Sequence, residues 1–297
     1  MRADVQEKIS VAARDLMKEP ITIKKSSSSM YDVIKKLLEC DISRLLVMDG
    51  TENIVGIISE KDVGLSLLSE ISERKINEIP SSETMKPVLS VDESLCVREC
   101  AKMMIDRNIG SLGVCENKRI TGILTKTDLV NYYLQNHTGL KKVRDVMTLS
   151  YVSGSCNDSV HDIITEMIRK RVSRIILKNQ DGIPKGILTF RDIFQISMIF
   201  GQEDVVVNNT HSSIPEVSPR TGFISESGFG NATMADEVMT NNIVSVDHND
   251  DLTSACRAMI ENKINGVGVL MNDKLVGIVS KTDVTQAIAS WSPFDTI

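Results

Sequence analysis

The chain has 297 residues, 41% of them hydrophobic and 25% charged, enough to bury the cores of two ordinary domains or one composite one. A net charge of −6 and a pI near 5.4 exclude a global field that attracts nucleic acid or an anionic membrane, and aromatics at 4% leave few rings for stacking bases. No secretory signal pattern precedes the first periodic segment and no apolar run reaches the roughly 18 residues of a membrane span, so a cytoplasmic protein with no nucleic-acid and no membrane partner is expected.

Taken in chain order, four segments repeat one series of signals. Each opens on a Met: Leu16-Met17, Thr84-Met85, Val146-Met147 and Val238-Met239. An apolar stripe at i, i+3, i+4, i+7, i+8 follows, which puts one helix face on a core: Met30 to Leu38, Val97 to Ile105, Val160 to Ile168, Leu252 to Ile260. Twelve residues after each stripe begins stands an aliphatic residue: Ile42, Ile109, Val172 and Ile264. A short strand then leads through polar turn residues into a second strand. That strand ends in the phrase G-h-h-[S/T]-x-x-D, where h is aliphatic. Its copies are Gly56 to Asp62, Gly122 to Asp128, Gly186 to Asp192 and Gly277 to Asp283, their glycines 66, 64 and 91 residues apart. Another apolar helix starts after the phrase.

These signals place repeats at 13–72, 79–137, 141–200 and 234–292, with a lead-in at 1–12, an inserted linker at 201–233 and a tail at 293–297. Units of roughly 55–60 residues bury too little surface to be comfortable alone, so pairing is expected. Repeats one and three carry Ser43-Arg44 and Ser173-Arg174, whereas two and four carry the glycine-rich strands around Gly113 and Gly268. An ancestral pair duplicated whole accounts for this alternation and predicts one module from repeats one and two and another from three and four. The linker is read as a tether, with Val205-Val206-Val207 and Phe223-Ile224 as candidates for an edge strand or a docked segment.

No cysteine pair forms C-x-x-C, and the four histidines are scattered, so neither a metal nor a catalytic constellation is expected. Cys96 and Cys100 alone are spaced like ligands on a helix, and buried reduced thiols account for them. P-loop, G-x-G-x-x-G, nucleophile-elbow and H-E-x-x-H motifs are absent, so no enzyme is expected.

The phrase has two readings. A Ser or Thr at a strand–helix junction followed three residues later by an acid is a helix cap, contributing about 1 kcal/mol. The acid, however, is Asp each time (Asp62, Asp128, Asp192, Asp283), where a capping box prefers a longer side chain. A basic residue also lies within each copy (Lys61, Lys126, Arg191, Lys281). A helix N-terminus with a hydroxyl beside it suits an anion, and an ionised Asp accepts from both hydroxyls of a ribose diol, so the phrase suits a ribose phosphate.

Four phrases in register, with the opening Leu/Val-Met, resemble the CBS domain family over nearly the whole chain. The resemblance implies an α/β fold: four CBS repeats, each a small mixed sheet faced by two helices, paired into two modules forming a disc-like assembly. It also implies that Asp62, Asp128, Asp192 and Asp283 bind ribose hydroxyls and that Ser59, Thr125, Thr189 and Ser280 contact ribose or phosphate. Arg44 and Arg174 are further phosphate candidates, or surface arginines whose stems cover apolar area. Phe190 replaces a polar residue of the other phrases and either packs over the helix start or narrows the third pocket. Gly113 and Gly268 either let a ring approach the backbone or relieve crowding between repeats. The expected function is non-catalytic sensing of AMP, ADP or ATP. S-adenosylmethionine or another adenosine cofactor, and a protein-interaction scaffold with empty pockets, stand as alternatives. A regulated partner protein and either a monomer or a homodimer are compatible with it.

Overall fold

The computed structural model describes residues 11–24, 27–69, 74–200, 230 and 233–291. Apart from Gly230 and Thr233, the inserted linker with its Val205–Val207 and Phe223–Ile224 segments lies outside the described residues.

Repeat one runs α1 (Ala13–Leu16), β1 (Thr22–Lys24), α2 (Met30–Glu39), β2 (Arg44–Met48), β3 (Ile54–Ser59) and α3 (Glu60–Ser69). Repeat two has β4 (Ser90–Asp92), α4 (Val97–Asp106), β5 (Ser111–Glu116), β6 (Arg119–Thr125) and α5 (Lys126–Asn136). Repeat three has β7 (Ser153–Ser155), α6 (Val160–Arg169), β8 (Arg174–Lys178), β9 (Pro184–Thr189) and α7 (Phe190–Phe200). Repeat four has α8 (Ala235–Val238), β10 (Thr240–Asn241), β11 (Ser245–Asp247), α9 (Leu252–Glu261), β12 (Gly266–Met271), β13 (Lys274–Ser280) and α10 (Lys281–Ala289). Each sheet is mixed: a short first strand runs parallel to the second, which pairs antiparallel with the phrase strand.

Each predicted stripe begins on the first residue of a ten-residue helix. The aliphatic residue twelve places on closes that helix. The Ile42 amide donates to Leu37 O and the Asp41 amide to Leu38 O, with Asp41 at φ 52°, a Schellman stop. Ile109, Val172 and Ile264 repeat the longer of these bonds, each after a residue of positive φ: Asn108, Arg171 and Lys263.

Neighbouring repeats exchange their lead-ins. The amide opening α2 donates to Ile79 O of repeat two's lead-in, and that opening α4 to Val11 O of repeat one's. Likewise α6 donates to Thr233 O and α9 to Lys141 O. The lead-ins then bridge the neighbour's phrase strand: Lys18 with Ile123, Lys86 with Ile57, Thr148 with Ile278, and Thr240 with Ile187. This joins one with two and three with four, as the duplication predicts.

The apolar helix faces follow another order. Residues 21–87 and 152–243 form one compact unit, and residues 1–20, 88–151 and 244–297 a second. The first unit's core joins the stripes of repeats one and three (Met30, Ile34, Leu37 with Val160, Ile164, Met167). The second joins two and four (Cys100, Met104 with Leu252, Cys256, Met259). Two helices on one sheet face leave an outer surface apolar, and a helix pair of another repeat covers it. Phe190 belongs to this packing: it is buried in the first core, and a Cβ on Gly64 of α3 would lie 2.4 Å from its ring. Phe190 thus packs between α7 and α3. Gly113 is likewise backed by apolar side chains, since an added Cβ would meet Val88 and Ile120.

Candidate functional site

All four phrases end a strand on the Ser or Thr and start a helix at the next residue. Thr125 shows why the chain turns there: its backbone is extended (φ −121°, ψ 164°) while Lys126 is already helical. The Asp in the third helical position folds back and accepts twice through Oδ2. The Thr125 amide donates to Asp128 Oδ2 at 2.8 Å and the Thr125 hydroxyl at 2.6 Å. Thr189 donates the same pair to Asp192, both at 2.7 Å, and Ser280 to Asp283, at 2.7 and 2.6 Å. Ser59 repeats the pattern with Asp62. The cap expected from the spacing is present, with long bonds of 3.4 Å from the Asp62 and Asp128 amides to the hydroxyl, and the hydroxyl in addition donates to the carboxylate.

The other carboxylate oxygen meets the neighbour's lead-in. Lys18 Nζ lies 3.0 Å from Asp128 Oδ1, and Lys86 pairs with Asp62. In the second half of the chain hydroxyls replace these ammonium groups: Thr240 Oγ1 donates to Asp192 at 2.9 Å and Thr148 Oγ1 to Asp283 at 3.4 Å. Asp62 and Asp128 are buried, whereas Asp192 and Asp283 are half-buried. The Lys18 side chain is 66% exposed against 4% for Asp128, so the ammonium reaches the carboxylate from the solvent side.

Sequence reading missed Lys18, Lys86, Thr148 and Thr240. Each directly follows the repeated Met, and that register was the available signal. The same crossing explains the phrase glycine. A Cβ on Gly122 would lie 2.3 Å from Met17 Sδ, and on Gly56 2.9 Å from Met85 Sδ. On Gly186 or Gly277 it would lie 2.7 Å from a carbonyl oxygen, of Thr240 or Thr148 respectively.

Three of the four basic phrase residues contact facing elements. Lys126 donates to Thr282 and Lys281 to Thr127, each at 3.0 Å, linking α5 to α10. Arg191 binds Glu60 at 2.8 Å, Ile42 O at 3.0 Å and Asp41. Burial opposes its charge, but Glu60 and Asp41 outweigh that and hold its pKa above the usual value. Lys61 stands in the first turn of α3, half-buried. Arg44 lies opposite Ser59 in the β2–β3 register and Arg174 opposite Thr189. The matching positions are Ser111 opposite Thr125 and Gly266 opposite Ser280. Cys100, Cys156 and Cys256 are buried, and burial pushes the Cys100 and Cys256 thiols up to about 12.

Four α/β repeats that exchange lead-ins and end a strand in a hydroxyl–carboxylate box define a tandem-repeat protein with one box per repeat. The chain belongs to the CBS domain family, whose model matches residues 13–64, 76–135, 143–198 and 235–290. It is 29% identical over 178 residues to an uncharacterised 33.4 kDa protein from the ribosomal RNA operon of Thermofilum pendens, covering 56% of this chain and 58% of that one. Among solved structures it is similar to the Methanocaldococcus jannaschii protein MJ1225, proposed as an archaeal homologue of γ-AMPK (TM-score 0.77, 19% identity, 94% of this chain, all of that one). A conserved Pyrococcus horikoshii protein shares the fold at TM-score 0.59 and 14% identity, over 94% of this chain and 100% of that one. Among the described residues no helix is long and apolar enough to cross a membrane.

Proposed function

We propose that the protein is a non-catalytic regulatory module that binds adenosine nucleotides at its four strand–helix junctions. One observation carries this reading: in each repeat Asp Oδ2 is tied to its own Ser or Thr, while among the described residues Oδ1 is held by a displaceable ammonium or hydroxyl from the neighbouring lead-in. A ribose diol donating to Oδ1 replaces that contact, and the displaced group stays at hand for the phosphate. The CBS resemblance assigns the ribose to the same four Asp residues.

The cations beside the four boxes differ. The box of repeat one has Lys86 and Arg44 beside it, that of repeat two Lys18, that of repeat three Arg174, and that of repeat four neither, having Thr148 and Gly266. Repeat one accordingly favours the more phosphorylated ligand. The repeat-four box favours a second reading for that pocket, an adenosine compound without phosphate such as S-adenosylmethionine. Phosphate contact is assigned to Lys18, Lys86, Arg44 and Arg174 rather than to Lys126, Arg191 and Lys281, which hold facing elements together.

Calorimetry with AMP, ADP, ATP and S-adenosylmethionine, on wild type and on Asp→Ala changes at positions 62, 128, 192 and 283, tests this. Each filled pocket should disappear with its own Asp. Saturation at one hundred times Kd should also raise stability by about 2.7 kcal/mol. Folded, ligand-free protein that binds none of these compounds would leave the boxes as helix caps and the chain as a scaffold.

A further inference from the structure

The unit built from residues 1–20, 88–151 and 244–297 contains a cavity of about 240 Å³ whose lining includes none of the phrase residues. It adjoins the start of α4, beside Cys96, Val97 and Arg98. Helix starts leave amides unpaired, and α2, α6 and α9 answer this with Ser29, Ser159 and Asp251, whose side chains accept from the first turn. At α4 the capping position is Cys96, which makes no such bond.

A second, independent observation lies in the wall. His137 is 8% exposed, and its Nδ1 is buried with no hydrogen-bond partner among the described residues. Nε1 of Trp291, also in the lining, is buried and likewise without a partner among the described residues. A buried polar atom left this way costs about 1–3 kcal/mol, so two around one cavity point to a polar occupant. The rings make one wall aromatic: His137 sits edge-on to Tyr132 at 5.1 Å and tilted to Trp291 at 5.8 Å, and Val97 and Ile288 also line the cavity. Burial pushes the Tyr132 phenol pKa up, keeping it neutral. Arg98 supplies charge at this end; it donates to Trp291 O at 3.3 Å and meets Glu99 at 3.5 Å.

We infer that this cavity is a second ligand site, separate from the nucleotide boxes, and that it takes a small aromatic carboxylate. The ring lies among Tyr132, His137 and Trp291. The carboxylate faces Arg98, the indole N–H, His137 Nδ1 and the start of α4, where the Val97 amide is taken by Val11 O but Cys96 supplies no side-chain cap; an anion suits these groups better than a neutral one. The inference does not rest on the nucleotide reading.

Trp291 is the only tryptophan of the chain, so its fluorescence reports on this cavity alone. Titrating the full-length protein with benzoate should give a saturable change, with benzamide about tenfold weaker or worse. Arg98→Met, at a side chain 46% exposed, should weaken benzoate about tenfold without altering the melting temperature. His137→Phe keeps a ring in the wall and removes Nδ1, and should weaken benzoate as well. Equal responses to benzoate and benzamide, a benzoate response indifferent to Arg98→Met, or no saturable response to either would overturn the inference. So would benzoate binding that appears only after residues 292–297 are removed, because the occupant would then be the chain's own end.

Discussion

Lys18 and Lys86 each place a full positive charge on an Asp that the family resemblance assigns to ribose, while Thr148 and Thr240 place only a hydroxyl there. A ribose entering the boxes of repeats one and two must displace an ammonium from a buried carboxylate, and that ammonium then needs another anion. A ligand phosphate supplies it; adenosine alone does not. Lys18→Thr and Lys86→Thr should therefore weaken AMP at their own pockets about tenfold or more, the size of a charge-assisted hydrogen bond, while leaving adenosine binding unchanged or tighter. Competition calorimetry of AMP against adenosine on each variant measures the ratio. Equal losses for both ligands would show that the lysines only position Asp62 and Asp128.

At the scale of the element, the lead-in crosses the phrase strand over a glycine, and what it presents to that glycine differs. Gly122 faces the flexible end of Met17, which can move; Gly277 faces the backbone carbonyl of Thr148, which cannot move without shifting the bridge to Ile278. Gly277→Ala should cost several times as much stability as Gly122→Ala, in the range of about 1–3 kcal/mol for overpacking, as chemical denaturation will show. Helix ends offer the opposite case. Arg171 follows α6 with φ 57°, where a Cβ is unfavourable and glycine is not. Arg171→Gly should stabilise the protein by about 0.5–1 kcal/mol in the same assay.

For the whole molecule, each core is made by repeats that are not neighbours in the chain. A chain of residues 1–150 keeps the lead-in exchange between repeats one and two but loses the partners of both helix pairs. Stripes of Met30, Ile34 and Leu37, and of Cys100 and Met104, would then face solvent. Each of those side chains gains about 1.5–3 kcal/mol from burial, so this fragment should recover cover from a second copy and sediment as a dimer. A folded monomer that binds no hydrophobic dye would contradict this.

The repeat number, the helix stripes and the four hydroxyl–carboxylate boxes were legible in the sequence, because each depends on residues within one turn or one strand and leaves a spacing. Asp62, Asp128, Asp192 and Asp283 fold back onto Ser or Thr three positions away, and that geometry is local. What meets the other oxygen of each Asp was not legible, since Lys18 and Asp128 lie far apart in the chain and only the crossing of a lead-in over a neighbour's strand unites them. The sharing of cores between alternate repeats was hidden for the same reason. An amphipathic stripe states that a face is buried, whereas which face buries it is decided by how the helices pack in three dimensions.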